Sequence, residues 1–252
     1  MKVALVHDFF CNLGGSDAVV RALHQLFPDA PVYTLIVYDR NRDAEILRNM
    51  RLNFSFLQRI LWARRSHQPF LLFFPIAVEQ FNLRNYDLII SSSHSCAKGI
   101  VTPPETLHIC YCHTPMRYAW DMYPEYTRHM GRLARAITAL VMHYIRLWDV
   151  SSSARVDYFI ANSRFVARRI WKYYRREATV IYPPVDTIYF VPEDRDENYY
   201  LVVSRLTGYK RIDLAVAAFN RLKRPLLIIG DGPELRRLRA MACLLYTSPS
   251  PR

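Results

Sequence analysis

The chain has 252 residues, 51% hydrophobic and 22% charged, so it can bury a substantial core in one large domain or two smaller ones. It contains no run of 18 apolar residues, which argues against a transmembrane helix, and its five irregularly spaced cysteines do not make a disulfide framework. The formal net charge of +12 indicates an anionic partner: nucleic acid, a phosphorylated ligand or an acidic membrane surface. Nucleic acid is the least favoured of the three, because no zinc finger and no aromatic RNA-binding signature accompanies the charge.

Strand and helix patterns alternate along the first part of the chain. The first strand is "KVALVHDFF", which is too short and too soon acidic for a signal peptide. A glycine-containing loop, "CNLGGSD", and a helix, "AVVRALHQLF", follow it. Further apolar runs predict strands at "PVYTLIVY", "YDLIISSS", "TLHICYCHTP", "DYFIANS" and "ATVIYPPVD", with a basic helix at "RFVARRIWKYYRR".

The pattern restarts after an acidic stretch, "PEDRDEN". A strand "YYLVVS", a helix "RIDLAVAAFNRL", a strand "PLLIIGDG" and a helix "PELRRLRAMA" follow in turn. This alternation is typical of α/β proteins with parallel sheets. The acidic stretch predicts a linker between a first domain over 1–192 and a second over 199–242. Residues 243–252 share no pattern with the rest, and we expect them to be a non-native tail on an incomplete second domain.

Glycines mark three loops that follow a strand and lead to a helix. They are Gly14 with Gly15, Gly208, and Gly230 with Gly232. In open α/β sheets ligands bind beyond the carboxyl ends of the strands, where helix N-termini favour anions. Ordinary turn chemistry explains any one of these loops equally well. Neither G-x-G-x-x-G after the first strand nor G-x-x-x-x-G-K-S/T is present, which disfavours a dinucleotide dehydrogenase and a P-loop NTPase.

Two cations lie in the loop "SRLTGYKRID". Arg205 supplies a planar fork and Lys210 a point charge, so together they could hold a diphosphate. They could also neutralise a leaving nucleoside diphosphate without a metal, and the sequence therefore predicts no cofactor.

The next loop, "IIGDGPE", opens another helix. The stretch from Gly230 through Gly232 to Pro233 could let the backbone approach a nucleotide base. Glu234 is either part of that contact or a partner of the helix dipole.

Several segments together resemble one enzyme family. "VVSRLTGYKRIDLAV" followed by "LLIIGDGPELRRL" is similar to the donor half of a GT-B glycosyltransferase of family four, a retaining family. "HDFFCNLGGSDAVVRAL" resembles its Gly-Gly loop, and "CYCHTPMRYAWD" resembles a stretch of its mannosyltransferase-like members. "FIANSRFVARRI" and "VIYPPVD" resemble its Asn-Ser helix start and its interdomain segment. The match, from Lys2 to about Ala242, implies two Rossmann-like domains with parallel sheets.

The resemblance assigns roles to individual residues. It implies that the second domain binds a nucleotide sugar, with Arg205 and Lys210 on the donor diphosphate, and that the first domain binds the acceptor. Gly15 is expected near the donor phosphates. His113 is expected near the transferred sugar, where it could hydrogen-bond a hydroxyl or assist proton transfer.

The acceptor side is assigned less directly. Arg117 and Tyr118 are expected to contact the acceptor or the sugar, whereas Trp120 fits a contact or a core position equally. Asp8, at the end of the first strand, is expected either to face the acceptor or to have a helix-capping or turn role.

The expected reaction is retaining transfer of a hexose to a saccharide or lipid-linked glycan, with His113, Arg205 and Lys210 as catalytic residues. GDP-mannose is one candidate donor and a UDP-sugar is the alternative. The family's Glu-x7-Glu pair is missing, so we expect the chain as written to be inactive. A non-catalytic nucleotide-binding or membrane-associated module stays the alternative. The family suggests a front-face mechanism instead of a two-carboxylate arrangement.

Two stretches combine arginine with aromatic residues. "FSFLQRILWARRSHQPFLLFF" and "RFVARRIWKYYRR" suit docking on an anionic membrane surface, where a lipid-linked acceptor would be found. They predict a cytoplasmic protein at the inner face of the membrane. Amphipathic core helices with solvated basic faces are the alternative.

Overall fold

The structure, a computed structural model, describes residues 1–11, 13–128, 130–190 and 198–242, and the backbone of 245–248. The chain divides into two compact units, 1–185 and 186–252. The predicted boundary at 192 and most of the predicted linker, 192–198, lie outside the described residues.

The first unit is built on a seven-stranded sheet in which every described strand pair is parallel. Its strands are β1 (Val3–Phe10), β2 (Val32–Val37), β3 (Leu52–Phe54), β4 (Leu88–Ser93), β5 (Leu107–Cys112), β6 (Tyr158–Ala161) and β7 (Ala178–Val180). The spatial order is β3-β2-β1-β4-β5-β6-β7. The strand order reverses between β1 and β4, and ligands of doubly wound sheets bind beyond the carboxyl ends of the strands at such a point. The predicted α/β class with parallel sheets is confirmed.

Five α-helices of the first unit connect the described strands. They are α1 (Gly15–Leu26), α2 (Phe74–Glu79), α3 (Tyr123–Thr127), α4 (Arg132–Ser153) and α5 (Arg164–Tyr174). The predicted basic helix is confirmed as α5, which buries Val166, Arg169, Ile170 and Tyr174. Within the described ranges no helix combines the length and apolarity that crossing a bilayer requires.

Four elements of the first unit are absent from the sequence-based prediction, namely β3, α2, α3 and α4. The alternative prediction of an amphipathic helix over 54–74 is wrong. That segment holds 3-10 turns at Phe56–Arg59 and Gln68–Phe73 and leads into the short α2. Pro69 lies in it and Pro75 lies in the first turn of α2, and each proline removes a backbone donor that a longer helix would need.

A buried ion pair connects α4 to the loop that follows β4. Nζ of Lys98 lies 2.6 Å from Oδ1 of Asp149, and both side chains are at most 1% exposed. Asp149 also accepts hydrogen bonds from Trp120 and Tyr174, and Lys98 donates to Ser152. The charges are therefore compensated on both sides, which a buried pair needs to be tolerated.

The second unit carries a three-stranded parallel sheet in the order β10-β9-β8. Its elements are β8 (Tyr200–Val203), α6 (Ile212–Leu222), β9 (Leu226–Ile229), α7 (Leu235–Met241) and β10 (Leu245–Ser248). Leu206, Val216 and Ile228 lie in its core. The backbone of β10 belongs to the segment predicted to be a non-native tail, and the origin of that tail stays a prediction.

Replacing Lys98 by methionine should destabilise the first unit strongly. The change leaves the Asp149 carboxylate buried without its counter-charge, and breaking a buried pair in this way costs about 3–5 kcal/mol. Urea unfolding followed by circular dichroism measures the loss. The control is Arg42→Gln, which breaks the exposed pair of Arg42 with Asp39 and should change stability little. An equal effect of the two changes would contradict a structural role for the buried pair.

Candidate functional site

The carboxylate of Asp8 organises the loop that follows β4. It is fully buried and accepts hydrogen bonds from the backbone N–H groups of His94, Ser95, Cys96 and Ala97, at 2.5 to 2.9 Å. Of the two roles proposed for Asp8, the geometry is that of the turn. Contact with an acceptor stays a prediction.

The imidazole of His94 completes this arrangement. Its Nδ1 lies 3.0 Å from Oδ2 of Asp8. Burial alone would raise the pKa of Asp8, but the adjacent His94 and its hydrogen bonds hold that pKa well below the usual range. Burial alone would lower the pKa of His94, but the Asp8 carboxylate raises it above its ordinary value. Each group therefore stabilises the charged form of the other.

His113 lies directly after β5, at the same edge of the sheet. Its Nε2 lies 2.8 Å from Oγ of Ser92, its backbone N–H donates to the carbonyl of Ser93, and its own carbonyl accepts from Asn162. Burial, together with the charges of His94 and His7, lowers the pKa of His113 to about 3. The ring is therefore neutral near pH 7.

His7 and Asp17 connect this cluster to the glycine loop. Nδ1 of His7 lies 3.1 Å from both the carbonyl oxygen and Oγ of Ser92, and Nε2 lies 3.5 Å from Oδ1 of Asp17. The other carboxylate oxygen of Asp17 accepts from the N–H of Gly14 at 2.8 Å. An acceptor three residues into a helix is favourable there, because the first turn leaves its N–H groups unpaired.

Gly15 begins α1, and a Cβ placed on it would meet no atom within 4 Å. Packing in the free chain therefore does not require glycine at this position. The predicted closeness of Gly15 to donor phosphates stays a prediction.

The predicted acceptor-side residues lie in the segment after His113. Arg117 is exposed. Tyr118 is half-buried against the core, its hydroxyl lies 2.7 Å from Oγ of Ser95, and burial raises its pKa well above the usual value. Trp120 donates from Nε1 to Asp149 and stacks on Tyr173 with ring centroids 4.6 Å apart, so its geometry is that of a packing residue.

The predicted cation loop of the second unit is exposed. Arg205 follows β8, and Lys210 ends the 3-10 turn Gly208–Lys210 with its ammonium over the ring of Tyr209. Within the described part of this unit the ion pairs join Arg211 to Asp213 and Arg237 to Glu234, and neither predicted cation takes part in one.

The glycines after β9 allow a close approach between two loops of this unit. Gly230 has φ +156°, and a Cβ on it would lie 1.8 Å from the carbonyl oxygen of Ser204. Gly232 has φ +155°, and its Cβ would lie 2.3 Å from the carbonyl oxygen of Leu206. The approach that these glycines permit here is thus to neighbouring backbone, and contact with a nucleotide base stays a prediction.

Pro233 and Glu234 follow these glycines directly. Pro233 is exposed. Glu234 precedes α7, its N–H donates to the carbonyl of Leu206, and its carboxylate pairs with Arg237 at 2.8 Å. Its proposed role beside the helix N-terminus fits this position.

The residues that sequence reasoning missed are the partners of His113. They are His7 in β1, Asp17 in the first turn of α1, Ser92 near the end of β4 and His94 in the loop that follows β4. The hydroxyl run "SSSHS" and the polar pair "HD" inside an apolar strand were the available signals. Their pairing across 85 residues could not be deduced from either segment alone.

The polar cluster around His113 thus lies at the switch point of a doubly wound parallel sheet. The structure of HepE from Anabaena in complex with UDP-glucose superposes with a TM-score of 0.61 at 13% identity, covering 100% of this chain and 70% of that chain. TarM from S. aureus, in complex with Fondaparinux, alpha-GlcNAc-glycerol and UDP, gives 0.57 at 10% identity, covering 100% and 78%. These similarities establish the fold.

A sequence profile described as Glycosyltransferase Family 4 matches residues 13–189. The chain therefore belongs to Glycosyltransferase Family 4, and its class is that of sugar-transferring enzymes. No curated protein sequence matches it.

The pairing of His94 with Asp8 predicts a specific pH dependence of stability. Because folding raises the pKa of His94, its contribution is fully present below the unfolded pKa of about 6.5 and is lost as pH rises through the folded value. The free energy of urea unfolding, measured from pH 5 to 8.5, should therefore favour wild type over His94→Gln most strongly at low pH.

His67 provides a control of opposite sign. Burial, with a contribution from His94, lowers the pKa of His67 to about 4, so wild type should lose its advantage over His67→Gln as pH falls below about 6.5. Differences of the same slope for both variants would contradict the assigned pairing.

Proposed function

We propose that the protein transfers a hexose, with retention of configuration, from a nucleotide-diphosphate sugar to a saccharide or lipid-linked glycan. The observation that carries this proposal is the buried polar cluster around His113 at the switch point of a Family 4 glycosyltransferase. HepE in complex with UDP-glucose supports a nucleotide-sugar donor. TarM in complex with UDP and Fondaparinux supports a saccharide acceptor.

The donor has two candidates. The nucleotides named for HepE and TarM favour a UDP-sugar. The likeness of "CYCHTPMRYAWD" to mannosyltransferase-like members favours GDP-mannose. A direct comparison of the two nucleotides separates these possibilities.

In this proposal the donor diphosphate is bound by Arg205 and Lys210. Both side chains are exposed in the loop after β8, and among the described residues neither of them pairs with a carboxylate that an incoming anion would have to displace. Fixed cations stabilise the negative charge that grows on the diphosphate as the glycosidic bond breaks, and a metal ion is not needed for that task.

His113 serves the sugar in this proposal. Its neutral ring, with a pKa of about 3, supplies a hydrogen bond to a sugar hydroxyl better than it supplies a proton. The burial that keeps the ring neutral also strengthens such a hydrogen bond.

Calorimetric titration with UDP-glucose and GDP-mannose tests the donor site. Arg205→Ala and Lys210→Ala should each weaken binding of the preferred nucleotide sugar about tenfold to a hundredfold, as expected for a lost charge-assisted hydrogen bond. Arg224→Ala is the control, because Arg224 is an equally exposed cation that precedes β9 and so lies at the opposite edge of the sheet. Binding that falls equally in all three variants, or is absent from wild type, would contradict the proposal.

We also propose that the segment 54–74 docks on an anionic membrane surface. Leu61 is 65% exposed and Trp62 80% exposed, and Arg59 and Arg65 are exposed beside them. No acidic residue occurs between Glu45 and Glu79, so the charge of this surface complements anionic lipid. A lipid-linked acceptor would be met at such a surface.

Flotation with vesicles tests this docking. Wild type should float with vesicles containing phosphatidylglycerol but not with pure phosphatidylcholine, and the double change Leu61→Ala with Trp62→Ala should remove most of the bound fraction. Leu26→Ala, which removes a 72% exposed leucine from the end of α1, should bind like wild type. Equal binding to both kinds of vesicle would overturn the electrostatic part of the proposal.

A further inference from the structure

The proton positions around Ser92 follow from its neighbours. Nδ1 of His7 lies 3.1 Å from the backbone carbonyl oxygen of Ser92, and a carbonyl oxygen can only accept. Nδ1 of His7 therefore carries a proton, which it shares between that carbonyl and Oγ of Ser92. The hydroxyl of Ser92 thus acts as an acceptor on this side.

Among the described residues, the remaining contact of the Ser92 hydroxyl, and hence the acceptor of its proton, is His113. Nε2 of His113 lies 2.8 Å from Oγ, at the usual length of a strong hydrogen bond. Because Ser92 donates to Nε2, the neutral ring of His113 carries its own proton on Nδ1. Within the described residues no hydrogen bond joins that Nδ1 to another side chain or to the backbone.

On its other side, His7 lies close to Asp17, the residue that contacts the glycine loop. Nε2 of His7 faces Oδ1 of Asp17 at 3.5 Å, and both atoms are buried without a closer partner. The same carboxylate holds the N–H of Gly14. At 3.5 Å the contact between Asp17 and His7 is not a hydrogen bond, so Asp17 lies beside His7 without fixing the proton positions of its ring.

We propose that His7 and Ser92 form a positioning relay that fixes His113 as an Nδ1–H hydrogen-bond donor toward the transferred sugar. This inference rests on the proposed function for the identity of the ligand, whereas the tautomer is a property of the free protein. Ser92 and His7 are positioning residues, since they act through His113. Because His113 already holds the Nδ1–H tautomer before the ligand binds, no free energy is spent on selecting that tautomer during the reaction.

Nitrogen-15 spectra of the histidine side chains test the relay directly. In wild type, His113 should show a protonated Nδ1 and an unprotonated Nε2. In Ser92→Ala the tautomers should mix, because the only donor to Nε2 is gone, and in Ser92→Thr, which keeps the hydroxyl, the wild-type pattern should return. A protonated Nε2 in wild type, or an unchanged pattern in Ser92→Ala, would overturn the inference.

Ser91 offers a matched control on the same strand. Its Oγ lies 2.8 Å from Nε2 of His108, the same length as the bond of Ser92 to His113, but successive side chains of a strand point to opposite faces. Ser91→Ala should alter the spectrum of His108 and leave that of His113 unchanged. A change at His113 would mean that the spectrum reports general loosening of β4 and not the relay.

The consequence for the ligand is measured separately by calorimetric titration with UDP-glucose and GDP-mannose. Ser92→Ala should weaken binding of the preferred nucleotide sugar on the order of tenfold, because one neutral hydrogen bond is lost from the sugar-orienting group. A wild type with the expected tautomer that binds neither nucleotide sugar would contradict the proposed function and leave the relay standing. Unchanged binding in Ser92→Ala would contradict the role of Ser92 in positioning.

Discussion

The buried carboxylate of Asp8 is the interaction on which the rest of the first unit depends. A carboxylate taken out of water is costly unless its lone pairs are filled, and here four backbone N–H groups and His94 fill them. The donors all come from the loop after β4, the strand beside β1. One charge on one strand thereby fixes the conformation of the loop on its neighbour, at the point where the strand order reverses.

That loop carries a second buried charge four residues beyond His94. Lys98 pairs with Asp149, and Asp149 in turn accepts from Trp120 in the segment that follows His113. The same segment is fastened again where Arg169 of α5 pairs with Asp121 at 2.6 Å. The segment that follows His113 is therefore held on both sides, by α4 through Asp149 and by α5 through Arg169.

The sequence alone located most of the strands, but it did not show which side chains of distant strands contact one another. Apolar runs bounded by turn residues located six of the seven strands of the first sheet, because a parallel strand is buried on both faces. The helix α4 was not predicted because its apolar residues do not mark its buried face. Leu133 and Leu140 are about three-quarters exposed, while the buried face includes Asp149. His113 was found through a local motif. Ser92, His7 and Asp17 were not, because their meaning arises only when strands distant in sequence are placed side by side.

The two units differ in how their polar groups are satisfied, and this difference argues for a division of tasks. In the first unit, Asp8, His94 and Asp17 compensate one another's charges or those of backbone dipoles, so what His113 offers a ligand is a neutral, directed hydrogen bond. In the second unit, Arg205 and Lys210 keep their full charge exposed on a loop whose backbone is locked by the approach of Gly230 and Gly232. In the proposed function the two kinds of group have separate tasks: the cations would stabilise a leaving group that gains charge, and the uncharged donor would orient a sugar without binding it as an anion.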